Sequence, residues 1–308
     1  MNTVALDDGR IIIKGGGGGG TAINNQEKSV DITENGTTEV VADAGFTGLS
    51  KVVVNTNVAS SGGGETNIDY ITFFALEDGL EASLSNADCE YRIDGGEWQA
   101  LLRGEKTQSI NAGHSISFRG QGLSYDTNAS STFSVSKRFS ASGNPLSLIY
   151  GDAFDEDSDV PAYGFCQLFY QCNTLIDATD MDMRFGGAGY WAFYAMFAAC
   201  QNLLYAPKVF FIKRFIEQGN GCCLCMFHNC NNLLRAPELL PTIYMGGSSD
   251  RYSGVFYGCA KLSYIKILSD GWDSSSFSGV ASNGVIVHKR NININVPSGW
   301  TNLPIDIL

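Results

Sequence analysis

The chain has 308 residues, of which 44% are hydrophobic and 17% are charged, a composition typical of globular domains with enough apolar material for more than one core. Its formal net charge of −12 excludes the basic surface that binding to nucleic acid or to an anionic membrane would need. No apolar run approaches the roughly 18 residues of a membrane helix.

Residues 1–26 are predicted to be an N-terminal anchor that contains a polyglycine tract. Gly15–Gly20 matches the GxGxxG pattern, but no Gly-Lys-Ser/Thr follows, so a phosphate loop is not indicated. The tract is either a flexible tether or a backbone that packs closely against a partner. In the second case the isoleucines before it could add a strand to a neighbouring sheet. The candidate anchor residues are Ile11, Ile12, Ile13, Gly15 and Gly20.

Residues 27–59 are predicted to form a small β module. Asn35-Gly36 is a hairpin turn signal between strand-like runs, and a second turn is centred on Phe46. Val52 and Val54 alternate in a final strand. Residues 60–67 are rich in glycine and serine and are expected to be a linker.

Residues 68–150 are predicted to form a β-sandwich-like domain. Four stretches have strand character, with turn signals between them: IDYITFFAL, CEYRIDGGEWQAL, HSISFRG and STFSVSKRF. Asp94-Gly95-Gly96 is expected to join two of these strands.

Residues 151–285 contain four copies of the pattern Phe-x-x-Cys-x-x-Leu, whose cysteines are 28, 30 and 29 residues apart. The repeated positions are predicted to be a structural core, filled by Phe169, Cys172, Leu175, Phe197, Cys200, Leu203, Phe227, Cys230, Leu233, Phe256, Cys259 and Leu262.

Each copy has apolar residues at positions i, i+3, i+4 and i+7, as in Phe165, Leu168, Phe169 and Cys172, which predicts one face of a helix. A short apolar piece follows each helix and is expected to be a short strand. One helix and one short strand per copy predict a short leucine-rich-repeat-like solenoid whose copies stack on one another. The predicted fold class is therefore multidomain α+β, with N-terminal all-β modules before the solenoid and a C-terminal capping segment over residues 286–308.

The four repeated cysteines are expected to be small, buried, apolar residues, since a catalytic thiol would not need three further copies. Only the third copy has the extra residues for a zinc site, formed by Cys222, Cys225, His228 and Cys230. This alternative is weakened because His228 and Cys230 would point to different faces of the predicted helix, and closed zinc sites normally use two separated pairs of ligands.

An acidic run between residues 152 and 159 raises the alternative of a calcium loop. Asp155, Asp157 and Asp159 have the spacing of positions one, three and five of such a loop. Val160 stands where the loop needs glycine, and Cys166 stands where it needs glutamate. A solvated loop between domains is the default interpretation.

No motif for hydrolytic, phosphoryl-transfer or metal-dependent catalysis is found, so we expect no enzyme activity, no cofactor and no metal. The repeat region is rich in aromatic residues, and many of them must fill the core. Tyr170 and Tyr205 lie off the apolar stripe and could stack on sugars or pack on another protein.

The third copy, MFHNCNNLLRAPEL from Met226 to Leu239, resembles the BspA-type leucine-rich-repeat-like units of gut bacterial surface proteins and of their phages. Residues 29–58 resemble a short β module of phage tail and fibre proteins, and VPSGW from Val296 to Trp300 resembles the segment that closes such repeat arrays. Taken together, the chain resembles head or tail fibre proteins of phages that infect gut Bacteroidales (crAss-like phages).

This resemblance implies a virion structural protein, assembled in the host cytoplasm, that is a head or tail fibre or decoration protein. Its N-terminus would attach to capsid or tail proteins, its repeats would bind a host-surface glycan or protein, and it would form a dimer or trimer. We expect neither nucleic-acid binding nor membrane insertion. The alternative is a BspA-like adhesin on the bacterial surface. The acidic N-terminus, which lacks the features of a signal peptide, favours export within a particle.

Overall fold

The computed structural model describes residues 2–7, 10–15, 25–32, 36–40, 48–56, 68–123, 130–216, 220–239, 251–269, 272, 274–290 and 294–306. The chain divides into two compact units, Met1–Asn67 and Ile68–Leu308. Each unit is described by itself.

The first unit contains five strands: β1 (Asn2–Asp7), β2 (Arg10–Gly15), β3 (Asn25–Ile32), β4 (Gly36–Val40) and β5 (Gly48–Thr56). Strand β1 lies between β2 and β4 and is antiparallel to both. Strands β3 and β5 form a separate parallel pair.

The strands on either side of the Asn35-Gly36 signal do not form the predicted hairpin. Among the described residues β4 pairs with β1, while β3 pairs with β5. A turn signal specifies only a local change of direction, and here the strands find partners elsewhere in the unit. The candidate anchor residues Ile11, Ile12, Ile13 and Gly15 lie in β2, and Gly20 and the 60–67 linker lie outside the described residues.

The second unit begins with β6 (Ile71–Ala75), β7 (Ala82–Leu84), β8 (Cys89–Ile93), β9 (Gln99–Leu101), β10 (Ser115–Arg119), β11 (Phe133–Val135), β12 (Phe139–Gly143) and the short helix α1 (Ser147–Tyr150). It continues with β13 (Asp159–Val160), β14 (Leu175–Met181), β15 (Met183–Ala188), β16 (Val209–Phe215), β17 (Glu238–Leu239), β18 (Tyr264–Ile267), a 3₁₀ helix (Ser274–Phe277), β19 (Gly284–Lys289) and β20 (Trp300–Ile305).

The strands predicted within residues 68–150 are present. In β6 the alternate residues Ile71, Phe73 and Ala75 are buried, as expected for a strand with one face on a core. Asp94 and Gly95 both have positive φ, and with Gly96 they connect the antiparallel strands β8 and β9, as predicted from the Asp-Gly-Gly signal. The sheet has the order β14-β12-β6-β10-β8-β9, and β12 and β14 are parallel.

The repeat region forms a second sheet of seven strands, all of whose pairings are parallel, in the order β13-β15-β16-β17-β18-β19-β20. Strands β19 and β20 place part of the 286–308 segment at the end of this sheet. Trp300 at the start of β20 is buried, and its indole N–H donates to the carbonyl of Ala281 at 2.7 Å.

The prediction of an α+β solenoid with one helix per copy is wrong. The structure is almost entirely β and turn: 3% of the chain is helical and 35% is strand, and the strands are spread over several sheets. The four stretches expected to be helices, Phe165–Cys172, Phe193–Cys200, Cys223–Cys230 and Tyr252–Cys259, are successions of turns.

The backbone hydrogen bonds explain why the apolar spacing predicted helices where the structure has turns. Along each stretch the backbone amides alternate between two acceptors. One amide donates to the carbonyl three residues earlier, as Leu168 does to Phe165. The next amide donates to a carbonyl of the following copy, as Phe169 does to Met196 at 2.8 Å. Every fourth residue, for example Gln167 and Gln171, has φ near +60°. This backbone repeats every four residues, close to the 3.6 of a helix, so both structures place apolar residues at i, i+3, i+4 and i+7.

One continuous apolar core runs through the second unit. Phe133 of β11 stacks on Phe169 at 5.7 Å between ring centroids, and its amide donates to the carbonyl of Leu168 at 2.8 Å. The predicted boundary between residues 150 and 151 lies inside this unit. Within the described residues no helix is long and apolar enough to cross a membrane.

Candidate functional site

The twelve repeated residues lie in the core and are at most 6% exposed. The four phenylalanines form a stack of nearly parallel rings, with centroids 5.4 Å apart between Phe169 and Phe197, 5.1 Å between Phe197 and Phe227, and 5.8 Å between Phe227 and Phe256. The parallel arrangement follows from the stacked turns, which set the same residue of successive copies side by side.

The repeated cysteines hold neighbouring copies together. The thiols of Cys200, Cys230 and Cys259 donate to the carbonyls of Phe169, Phe197 and Phe227 at 2.9, 3.0 and 3.1 Å. Burial raises the pKa of all three thiols, that of Cys259 to about 12. They therefore stay protonated near neutral pH and cannot act as nucleophiles or metal ligands in that form.

The residues of the zinc alternative are not brought together as a site. Cys222 and Cys230 are buried in the core, and His228 stacks on Tyr257 with centroids 4.8 Å apart. In the described part of the chain no three His, Cys, Asp or Glu side chains are placed to hold a metal ion.

The carboxylates of the calcium alternative have separate protein partners. Asp157 pairs with Lys213 at 2.5 Å and Asp159 with Arg214 at 2.7 Å, both on β16. Asp155 accepts from the amide of Asp157 and from the hydroxyl of Ser158, both at 3.0 Å, within its own turn. These contacts fasten the segment around β13 to the parallel sheet.

Aromatic side chains on the stacked turns form a half-buried cluster of Tyr163, Tyr190, Trp191 and Tyr194. Trp191 stacks on Tyr190 at 5.2 Å and on Tyr194 at 4.6 Å, with interplanar angles of 14° and 25°. The indole is therefore packed against two protein rings. Such a cluster holds copies together better than it offers a flat face to a ligand.

The outward face of the repeat strands is different, because its aromatic rings are more exposed. The side chains just after the repeated leucines include Tyr205, Leu234 and Tyr264, which are 37%, 42% and 46% exposed. Tyr205 had been singled out from the sequence as a ring off the apolar stripe. Tyr170, its companion in that prediction, is 38% exposed but lies on the stacked turns instead.

Arg235 lies beside Tyr205 on this outward face, and the sequence did not single it out. The two residues are bridged as parallel neighbours, and the guanidinium carbon is 5.5 Å from the centre of the Tyr205 ring, within the range of a cation–π contact. Its Nη2 atom donates to the hydroxyl of Thr179 at 2.8 Å. We name Thr179, Tyr205 and Arg235 the sheet-face site.

A cavity of about 350 Å³ adjoins the sheet-face site, since Thr179 also lines it. Its other lining residues include Asp180 and Lys208, which pair at 2.8 Å, and Asp182 and Arg184, which also pair at 2.8 Å. Paired carboxylates and cations beside exposed rings are the features of a surface that recognises a polar ligand.

No protein-family model, no curated protein and no solved structure matches this chain. The function must therefore be argued from the residues of the site.

Proposed function

We propose that the chain is a structural protein of a phage particle, a head or tail fibre or decoration protein. In this proposal the Met1–Asn67 unit attaches to capsid or tail proteins, and the Ile68–Leu308 unit binds a glycan or protein on the host surface. A symmetric dimer or trimer is the expected assembly, as for most proteins of this kind.

The observation that carries the binding role is the sheet-face site. Tyr205 keeps more than a third of its surface exposed beside Arg235, and Thr179, which accepts a hydrogen bond from Arg235, lines a cavity. Exposed tyrosine and arginine side chains supply large contact area and directed hydrogen bonds to binding surfaces. Since the repeated cysteines are buried and protonated, the repeat region supports binding better than catalysis.

The attachment role is supported by the first unit. Strand β2, which holds Ile11–Ile13, lies at the edge of the β2-β1-β4 sheet as far as the described strands extend. An edge strand can pair with a strand of another protein through its backbone. Attachment would thus use the first unit and leave the sheet-face site for the host.

The test is immunogold electron microscopy with an antibody raised against residues 68–308, on purified particles and on producing cells. We expect label on particles, and its position would show whether the protein is on the head or the tail. Antibody absorbed with the purified protein controls for non-specific label. Absence from purified particles would overturn the proposal, and label confined to the cell envelope would favour the bacterial adhesin.

A further inference from the structure

Arg235 has no carboxylate partner among the described residues, whereas three other cations of the repeat region have one. Lys208 pairs with Asp180, Arg184 with Asp182 and Lys266 with Glu238 at 2.6 Å. In a chain with a net charge of −12, an arginine at a carboxylate-rich face would be expected to find such a partner. Its side chain is instead held by neutral groups, the hydroxyl of Thr179 and the ring of Tyr205.

The hydrogen-bonding capacity of Arg235 is also incompletely used. Its Nε atom is buried without a partner, and only Nη2 has a side-chain acceptor among the described residues. A guanidinium has five N–H donors in a planar fork that fits a carboxylate. The group is therefore held in place through Nη2, and its Nη1 donors, which have no acceptor among the described residues, are left for a bound anion.

The carboxylates around Tyr205 and Thr179 have partners other than Arg235. Asp177, which is bridged to Tyr205 on the side away from Arg235, accepts from the amide of Thr179 at 2.7 Å. Asp180 and Asp182 are paired with Lys208 and Arg184. These contacts leave the charge of Arg235 to be balanced by something outside the described residues.

An exposed ring, Tyr205 of the preceding copy, lies against the arginine. Adjacent strands of a sheet are about 4.8 Å apart, a spacing close to the width of a sugar ring. The C–H groups of a pyranose can pack on such a ring while its polar groups reach the arginine and Thr179. Acidic peptides, by contrast, are usually recognised by clusters of arginines, and among the described residues Arg235 is the one arginine of the sheet-face site.

We propose that the sheet-face site binds an acidic sugar, with Arg235 taking the carboxylate of a hexuronate residue and Tyr205 packing against the sugar ring. This inference rests on the proposed function, since it names the class of host-surface glycan that the exposed unit recognises.

The experiment is calorimetric titration of the full chain with two matched oligosaccharides, one with a glucuronate residue and one with glucose in its place. We expect the acidic form to bind at least about tenfold more tightly, the size of a lost charged hydrogen bond. Arg235→Gln should abolish this preference, and Arg235→Lys, which keeps the charge without the fork, should retain part of it.

Two matched variants act as controls. Arg103→Gln makes the same change at an exposed arginine in the turn after β9, and Tyr170→Ala removes a ring whose exposure of 38% matches the 37% of Tyr205. Both control variants should bind the oligosaccharides like the natural chain. Tyr205→Ala should instead weaken the binding of the two oligosaccharides about equally. Thermal melting of each variant separates loss of folding from loss of binding.

Equal affinity of the natural chain for the two oligosaccharides, absence of binding to both, or a preference that survives in Arg235→Gln would overturn the inference. Tighter binding to an acidic peptide than to the glucuronate form would also overturn it and would assign a protein partner. Particle localisation is measured separately, so the proposed function can hold while this inference fails, and the reverse.

Discussion

At the scale of single residues, the repeated cysteines combine two roles. Their small apolar side chains are buried in the same core as the stacked phenylalanines, and three thiols donate across copies to backbone carbonyls. A sequence pattern can indicate the first role, because burial follows from spacing. It cannot show the second, since the acceptor belongs to another copy.

Thiol reactivity should follow burial. The nine cysteines, which all lie within the described residues, are thiols rather than disulfides; eight are buried and Cys225 is half-buried. We expect an aromatic disulfide reagent at pH 8 to label Cys225 first in the native protein and the others only on unfolding, because burial holds the pKa of Cys259 at about 12 and that of Cys166 at about 11. In Cys225→Ser the first phase should disappear, and fast labelling of the repeated cysteines would contradict the stacked arrangement.

The ion pair between Asp157 and Lys213 should be visible in an NMR titration. The hydrogen bond and charge of Lys213 hold the pKa of the Asp157 carboxyl below its ordinary value. A lowered carboxyl pKa means that the pair contributes stability above the unfolded-state pKa and loses it as the pH falls through the folded-state pKa. Lys213→Gln should raise the pKa of Asp157 towards about 3.9, and an unchanged titration would show that the pair does not form in solution.

At the scale of elements, the central difference is that turns occupy the stretches whose spacing predicted helices. Apolar residues at i, i+3, i+4 and i+7 are compatible with both structures. The left-handed φ angles at Gln171, Ala199 and Asn229 are typical of neither strand nor helix, and no glycine marks them in the first three copies. Only the fourth copy has glycine at this position, Gly258.

Glycine substitution distinguishes the stacked turns from a helix, because the two backbones predict different changes in the free energy of unfolding. Ala199 has a φ of 60°, which costs an L-residue roughly 1–2 kcal/mol. Ala199→Gly should therefore leave the free energy of unfolding unchanged or raise it by up to about 1 kcal/mol, whereas in a helix it would lower it by about 1 kcal/mol. The neighbouring Ala198→Gly, outside the left-handed region, is the control and should destabilise in urea unfolding.

The phenylalanine stack should supply much of the stability of the repeat region. Phe197 is fully buried between Phe169 and Phe227. We expect Phe197→Ala to lower the free energy of unfolding by about 3–5 kcal/mol, through lost burial and the cavity left behind. Tyr170→Ala, at an exposed ring, should cost about 0.5 kcal/mol or less. A loss below about 1 kcal/mol for Phe197→Ala would mean that the stack is loosely packed.

At the scale of the whole molecule, residues 68–308 share one core although the sequence suggests a β domain followed by repeats. Phe73 of β6 packs on Phe133 at 4.8 Å, and Phe133 packs on Phe169 of the first copy at 5.7 Å. Strand β14 of the repeat region also pairs with β12. Removing either part would expose the core of the other.

This continuity predicts cooperative unfolding of residues 68–308. In the full chain, calorimetry combined with hydrogen exchange should show amides of β6 and β10 losing protection in the same transition as those of β16 and β18. The Met1–Asn67 unit serves as the internal comparison, because it has its own strands and sheets. Separate transitions within residues 68–308 would mean that the shared core does not couple the two parts.

The sequence by itself determined where apolar residues recur and where the strands of residues 68–150 lie. Residue type and spacing carry this information, because the positions of apolar residues along the chain indicate which side chains are buried. Tertiary structure alone decided the turns in place of helices, the partners of β3 and β4, and the position of Arg235 beside Tyr205. Each of these depends on which distant group satisfies an amide, a strand edge or a charge, and local spacing does not specify that group.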